Sequence, residues 1–404
     1  MSHVSHDSAQ IDWFLNHGVE QILPSKDAFK ERLLQDAPIT VYLGVDPTAT
    51  AIHMGNALMI RKLAELQQLG HKVILLIGDF TAMIGDPTDK MAARTVLTAE
   101  QVRANMASYK EQAARLLSFA GENPAEIRYN STWLGAMSFA DVVKLGSEFT
   151  VQQMLERDMF QKRMAENKPI GLHEFFYPLM QGYDSVAMDV DAEIGGNDQL
   201  FNMLAGRTLM KSLKNKEKFV ITGKLMTDAN GKKMSKSEGN VIWLNDTPED
   251  MYGKVMSWPD TMIMPGYELC TNYTADRVAD VRARMAAGEN PMQLKKDLAY
   301  AVTSIFGGGD EAAARGEEAF KNVHQEHGLP EDMAKLHVGA EISVVDALVQ
   351  SGLVPSKSEA RRQIEQGGVR VDDAVVTDVN ALVHPTADGS ILQKGKRGFA
   401  KLLV

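Results

Sequence analysis

The chain has 404 residues, beyond the roughly 100–200 of a typical single domain, so its length alone predicts two or three domains. Hydrophobic residues make up 44% and charged residues 24%, the balance of a globular protein, and no apolar run reaches the ~18–20 residues that a membrane-spanning helix needs. The net charge of -10 disfavours a surface devoted to nucleic acid, and a single cysteine, Cys270, excludes a disulfide framework or a thiolate metal cluster.

From the N-terminus, Met1 to Trp13 is polar and lacks the apolar core of a secretory signal, so a cytoplasmic protein with no membrane contact is expected. Ile39–Val45 is rich in β-branched and aromatic residues and predicts a buried strand. A turn at Asp46-Pro47-Thr48 follows. Ala57–Leu69 has helical periodicity and stops at Gly70, and Lys72–Ile77 predicts a second strand closed by Gly78-Asp79. Strand, helix and strand in this order imply a parallel sheet with a right-handed crossover, whose ligands bind beyond the carboxyl ends of the strands.

Thr98–Met180 is expected to be mostly helical. Ala187–Ile194 is expected to lead into a strand-to-helix loop at Gly195-Gly196-Asn197-Asp198-Gln199, and Phe219–Leu225 predicts the last core strand. Helices are expected at Pro248–Met256, Ala275–Ala287 and Met292–Ile305, with a turn at Gly307-Gly308-Gly309. Leu329–Glu341 mixes Pro, Gly and charge and is expected to be a linker. Short helices at Ser343–Ser351 and Lys357–Gln366, then short strands at Val369–Val371 and Ala374–Val376, complete the pattern. The expected domains are 1–230, 231–328 and 343–404, with 329–342 between the last two. The part from Ser343 onward is the least acidic, with basic clusters at Lys357, Arg361, Arg362 and at Lys394, Lys396, Arg397, Lys401.

Two segments carry chemistry. His53-Met54-Gly55-Asn56 falls where the first turn meets its helix, and a helix N-terminus suits phosphate. Gly55 removes a side chain that would hold a nucleotide away. His53 and Asn56 supply hydrogen bonds to phosphate oxygens as charge moves. Gly231-Lys232-Lys233-Met234-Ser235-Lys236-Ser237-Glu238-Gly239-Asn240 sets lysines and serines between glycines, without Walker A spacing. Such a loop suits closure over a triphosphate, its ammonium groups neutralising the leaving pyrophosphate.

The pair resembles the two signatures of the class I aminoacyl-tRNA synthetases. His53–Asn56 is similar to the H-I-G-H tetrad, with Asn56 where a second His is usual, and Lys233–Ser237 is the K-M-S-K-S pentad. The resemblance implies ATP as substrate, with Mg2+ travelling on it and no dedicated protein metal site. It implies His53, Asn56, Lys233, Lys236 and Ser237 as catalytic residues. Tyr42-Leu43-Gly44-Val45-Asp46-Pro47-Thr48 resembles the Y-x-G-x-D-P-T motif of the tyrosyl branch, which implies Tyr42 at the substrate phenol and Asp46 and Thr48 at ATP. By the same resemblance Asp86, in Thr81–Pro87, faces the substrate ammonium.

Tyr177, Gln181 and Asp184 fall at i, i+4 and i+7 of one helix and share a face. In the branch that this helix resembles, Tyr177 and Gln181 hold the ammonium and Asp184 accepts the phenol proton. A pocket that hydrogen-bonds a hydroxyl rejects phenylalanine by a factor on the order of 10⁴–10⁵. Gly195-Gly196-Asn197-Asp198-Gln199 resembles G-G-x-D-Q, implying Gly195 and Asp198 at the adenosine and Gln199 on the tyrosine side. Ser356–Val371 resembles an S4 RNA-binding domain, in which Lys357, Arg361 and Arg362 would contact tRNA phosphates.

The expected architecture is therefore α/β: a Rossmann-like parallel-sheet catalytic domain, a helical domain, and a small α+β S4-like domain. The expected activity is activation of L-tyrosine with ATP and transfer to the 3′ end of tRNA(Tyr), by a homodimer as in related enzymes. Two alternatives are a tryptophan-specific enzyme, suggested by Asn56, and a non-catalytic synthetase-derived RNA-binding protein.

Overall fold

The computed structural model describes residues 4–87, 97–227, 241–324, 333–339, 341–386, 389–395 and 398–404. The chain divides into two compact units, Met1–Ala313 and Ala314–Val404.

The first unit is built on six strands: β1 (Val19–Leu23), β2 (Thr40–Val45), β3 (Lys72–Ile77), β4 (Glu126–Tyr129), β5 (Ala192–Gly196) and β6 (Phe219–Gly223). Their order is β1-β6-β5-β2-β3-β4. All neighbours run parallel except β1 against β6. β2, β3 and, Glu193 apart, β5 are mainly apolar and buried on both faces, as strands covered by helices on both sides must be. The helix Met54–Gln68 makes the crossover from β2 to β3. From β2 the chain builds outward to β3 and β4, then returns to place β5 and β6 on the other side. The switch point lies between β2 and β5, and the crevice beyond their carboxyl ends is where such sheets bind ligands.

The helices Phe176–Met188 and Leu200–Lys214 cross closely, because each contributes a glycine to the contact. A Cβ on Gly182 would lie 3.0 Å from the Gly206 nitrogen and 3.1 Å from the Ala205 carbonyl carbon. Further along, Thr247, Thr274 and Asn290 cap the helices Pro248–Met256, Ala275–Ala286 and Pro291–Gly307. The last of these ends at Gly308, whose φ of 113° is open to glycine at little cost. Among the described residues no helix is long and apolar enough to cross a membrane.

Three elements depart from expectation. β4 interrupts the Thr98–Met180 stretch. It is a four-residue edge strand, and its Glu126-Ile127-Arg128-Tyr129 alternation is too short to stand out. The Phe176 helix runs on to Met188 and ends on a left-handed Asp189, so strand begins only at Ala192. β1 is a strand in the N-terminal stretch, which carries no motif.

The second unit holds β7 (Ala334–His337), β8 (Ile342–Ser343), β9 (Val369–Val371), β10 (Ala374–Val376), β11 (Leu382–Val383), β12 (Ser390–Lys394) and β13 (Gly398–Leu403). Five of them form a sheet in the order β10-β9-β12-β13-β7. The helices Val344–Gln350 and Lys357–Glu365 cover a core that includes Val344, Leu348, Ile364, Val369, Leu392 and Leu402. β9 and β10 form a hairpin through Asp372 and Asp373, both at positive φ, a conformation that Asp tolerates in tight turns. β7 lies within the stretch expected as linker and pairs in parallel with β13. Its side chains are mostly exposed, so no apolar period marks it.

Candidate active site

The helix Met54–Gln68 starts on His53, whose Nδ1 accepts the Asn56 backbone N–H at 3.3 Å. That bond puts the ring proton on Nε2 and leaves it as a donor. The helix has 15 residues, so partial positive charge gathers at this end. The turn is anchored from outside as well. Met54 N–H donates to the Ile242 carbonyl at 2.8 Å, and Leu244 N–H donates to the Ile52 carbonyl at 2.9 Å. His53 and Trp243 form a bridge between these bonds, their rings edge to face at 6.3 Å. Gly55 is exposed beside the imidazole, and a Cβ there would fall 2.9 Å from His53 Cε1.

Beyond β2, β3 and β4 lies a continuous polar network. Asp46 accepts from the Thr81 hydroxyl at 2.7 Å and from the Tyr177 hydroxyl at 2.8 Å. Asn130, after β4, donates to Thr81 Oγ1 at 3.0 Å and to Asp184 Oδ2 at 3.3 Å. Trp133 Nε1 donates to Asp184 Oδ1 at 2.7 Å. Gln199 Nε2 donates to Asp86 Oδ2 at 2.7 Å and Asn202 donates to Gln199 Oε1 at 3.0 Å. Tyr177, Asp46 and Asp184 are thus joined through Thr81 and Asn130, and Asp86 is joined to Gln199.

Enclosure sets the charge states. Burial pushes the Asp46 carboxyl up to about 7. The hydrogen bonds from Thr81 and Tyr177 oppose this, and the nearby Asp86 and Asp79 add to it. Burial also holds Asp184 well above the carboxylate range, against the bonds from Trp133 and Asn130. The Tyr42 phenol is held well above its usual value by burial and then by Glu193 and Asp184, and that of Tyr177 by burial and then by Asp46 and Asp86. Both tyrosines are therefore neutral hydroxyls able to donate. A crevice lined by carboxyls whose charge burial opposes suits an ammonium group, which would favour their ionised forms.

A second buried group underlies the first. Tyr42 and Glu193 are register partners across β2 and β5. The Tyr42 hydroxyl lies 2.9 Å from Ser185 Oγ. Lys218, fully buried just before β6, donates to Ser185 Oγ at 2.8 Å and forms an ion pair with Glu193. Gln181 Nε2 donates to Glu193 Oε1 at 3.0 Å.

Of the remaining candidates, Thr48 is half-buried in the turn after β2, its N–H bonded to the Asp46 carbonyl at 2.8 Å. Gly195 is buried at the end of β5, and Asp198 is exposed on the following short 3-10 turn. Lys233, Lys236 and Ser237 lie outside the described residues. Lys357, Arg361 and Arg362 belong to the second unit, on the exposed face of the helix Lys357–Glu365 whose Ala360 and Ile364 are buried. Lys357 pairs with Asp346 at 2.7 Å, and Arg362 pairs with Glu359. Among the described residues no group of three or more His, Cys, Asp or Glu is placed to hold a metal ion.

Ser185, Glu193, Lys218, Asn130, Trp133 and Thr81 were not singled out from the sequence. A signal existed for one of them. Glu193 sits in Ala192–Gly196, otherwise apolar, and an acid in a strand covered on both faces must be paired. Lys218 gave none, since Lys214-Asn215-Lys216-Glu217-Lys218 has the composition of a solvated charge run.

Both parts of the chain are similar to known proteins. Residues 34–325 match the family described as tRNA synthetases class I (W and Y), and residues 344–388 match the S4 domain. A tyrosine–tRNA ligase of Moorella thermoacetica is 43% identical over 96% of this chain and 94% of its own. A tyrosine–tRNA ligase of Thermotoga maritima is 42% identical over 94% of both. The fold is shared with the tyrosyl-tRNA synthetase of Archaeoglobus fulgidus solved with L-tyrosine, at a TM-score of 0.59 and 19% identity over 77% of this chain and 99% of that one.

Proposed function

We infer that this chain, which belongs to the class I tRNA synthetases of the tryptophan and tyrosine type, ligates tyrosine to tRNA. The family's enzymes take ATP as substrate. Tyrosine and ATP give tyrosyl-adenylate and pyrophosphate, and the tyrosyl group then passes to the 3′ end of tRNA(Tyr). The substrate carboxylate is itself the nucleophile, so catalysis is positioning and charge stabilisation rather than covalent chemistry.

In this reading Tyr177, Gln181 and Asp86 receive the ammonium, and Tyr42 and Asp184 bracket the phenol. His53 Nε2 and the Asn56 amide donate to the α-phosphate, with Gly55 giving it access. Asp46, Thr48, Gly195 and Asp198 hold the nucleotide, and Gln199 orients Asp86. Lys233 and Lys236 neutralise the leaving pyrophosphate beside Ser237, and Mg2+ arrives on ATP. Lys357, Arg361 and Arg362 contact tRNA. A homodimeric, cytoplasmic enzyme completes the proposal.

The observation that carries the choice of amino acid is the buried, neutral Tyr42 hydroxyl within electrostatic reach of the buried Asp184 carboxyl, a pair that suits a phenol between them. Asn56 is the one feature favouring tryptophan. ATP–pyrophosphate exchange with tyrosine, tryptophan and phenylalanine decides. Exchange with tyrosine alone is expected. Exchange with tryptophan alone would reverse the specificity, and exchange with none would leave an RNA-binding protein.

A further inference from the structure

The buried Lys218–Glu193 pair has no place among the groups that would touch substrate, yet it reaches both ends of the amino-acid pocket. Lys218 is fully buried and Glu193 is 2% exposed. Room for the lysine head comes from Gly206, where a Cβ would lie 2.5 Å from Lys218 Nζ and 2.8 Å from Ser185 Oγ. Both an acid and an ammonium have been taken out of water here, an arrangement that costs more than an apolar pair of the same volume unless it serves another end.

An ammonium carries only donors, so Lys218 must donate to both of its partners. Ser185 Oγ accepts from Lys218 and has its own proton to give to the Tyr42 oxygen at 2.9 Å, the direction in which Ser185 favours the ionised phenol. The hydrogen of the Tyr42 phenol is then left for another acceptor, the Glu193 carboxylate beside it or a phenol oxygen brought into the pocket. On the other side, the Glu193 carboxylate can only accept, so it takes the Gln181 Nε2 and fixes the amide with its oxygen outward. One ion pair thus sets two polarities, a donor where the phenol oxygen comes to rest and an acceptor where the ammonium does.

We propose that Lys218 and Glu193, through Ser185 and Gln181, are positioning residues that preset the hydrogen-bond direction at the two ends of the tyrosine pocket. The proposal rests on the tyrosine reading above. Its functional content is selectivity. With Tyr42 held as donor, Asp184 is the partner for the phenol proton, and a ligand without a hydroxyl forgoes both bonds.

The test is ATP–pyrophosphate exchange on the full-length enzyme, with tyrosine and with phenylalanine, for Ser185→Ala, Lys218→Met and the double variant. Ser185→Ala keeps the ion pair and removes the hydroxyl through which Lys218 reaches Tyr42. It is expected to raise KM for tyrosine about tenfold, the worth of one hydrogen bond, with kcat little changed and phenylalanine kcat/KM unaffected. Lys218→Met should lower tyrosine-over-phenylalanine selectivity by at least as much. The double variant should lose no more selectivity than Lys218→Met alone, since both act on one path. Equal losses for tyrosine and phenylalanine in Ser185→Ala would overturn the proposal, because a packing role does not distinguish a hydroxyl. If Lys218→Met does not fold, Ser185→Ala decides alone. A wild-type enzyme inactive with tyrosine would sink the functional reading instead.

Discussion

At the scale of single residues, the site depends on contacts with no slack. Gly55 is the clearest. An alanine there would bring its methyl within 2.9 Å of the His53 ring, which is already fixed by the Asn56 N–H. The imidazole must turn, and its Nε2 leaves the phosphate position. Gly55→Ala should lower kcat for pyrophosphate exchange by about 10²-fold while unfolding shifts little, because a misplaced group acts on the transition state. An unchanged kcat would show that His53 does not act through this geometry. Asp46 gives a second expectation. Its carboxyl titrates at about 7 in the fold, so it is neutral below that pH and charged above it. Tyr177, proposed above to receive the ammonium, donates to Asp46, so an ammonium bound beside Tyr177 favours the charged form of Asp46. The kcat/KM for tyrosine should therefore rise with pH through a midpoint near 7 and lose that inflection in Asp46→Asn, measured from about pH 5.5 to 8.5.

At the scale of elements, the helix Phe176–Met188 carries Tyr177, Gln181, Asp184 and Ser185, so its seat on the helix Leu200–Lys214 sets all four at once. A methyl on Gly182 would press on the backbone of Ala205 and Gly206, which cannot swing aside as a side chain can. Gly182→Ala should cost about 1–3 kcal/mol by thermal or urea unfolding and raise KM for tyrosine. An alanine variant of wild-type stability and KM would mean that the crossing tolerates expansion. The i, i+4, i+7 spacing of the three pocket residues was legible in the sequence because helical periodicity fixes a face without knowledge of the fold. So were β2, the crossover helix and β3, whose apolar runs are bounded by turn residues. What the three-residue face rests on was not legible. Ser185 lies one position off the Asp184 row, and Lys218 comes into contact only because β5 and β6 pair. Asn130 and Trp133 follow an edge strand of four residues, and β7 is nearly all exposed, so neither strand leaves a period to read.

At the scale of the whole molecule, titration of buried groups links stability to pH. His71 is wholly buried, with Nδ1 taking the Ile39 N–H. Burial lowers its pKa from 6.5 to about 4, with Arg32 adding to the effect and Asp191 opposing it. The folded chain keeps it neutral while the unfolded chain takes up a proton below 6.5. Stability is therefore intact above pH 6.5 and is lost as pH falls toward 4, by on the order of 3 kcal/mol. Asp46 works in the opposite sense across part of that window, since its raised pKa makes the fold less stable as pH climbs from 3.8 to about 7. The His71 share is thus read as the difference between the wild type and His71→Asn in urea unfolding at several pH values, and a difference that does not vary with pH would remove it. The second unit has its own core, so charge changes on its surface should leave the first unit's chemistry untouched. On the helix Lys357–Glu365, Lys357 and Arg362 each form an ion pair, with Asp346 and Glu359, which phosphate must displace, whereas Arg361, exposed one turn from Lys357, feels the Asp346 charge only through space. Arg361→Ala should therefore weaken tRNA binding more than Lys357→Ala or Arg362→Ala, and replacing all three should flatten the salt dependence of binding by about two to three units of slope. Pyrophosphate exchange, which needs no tRNA, should be unchanged throughout. Undiminished charging in the triple variant would locate the tRNA contact away from this helix, and lost exchange would mean that the helix supports the first unit rather than RNA.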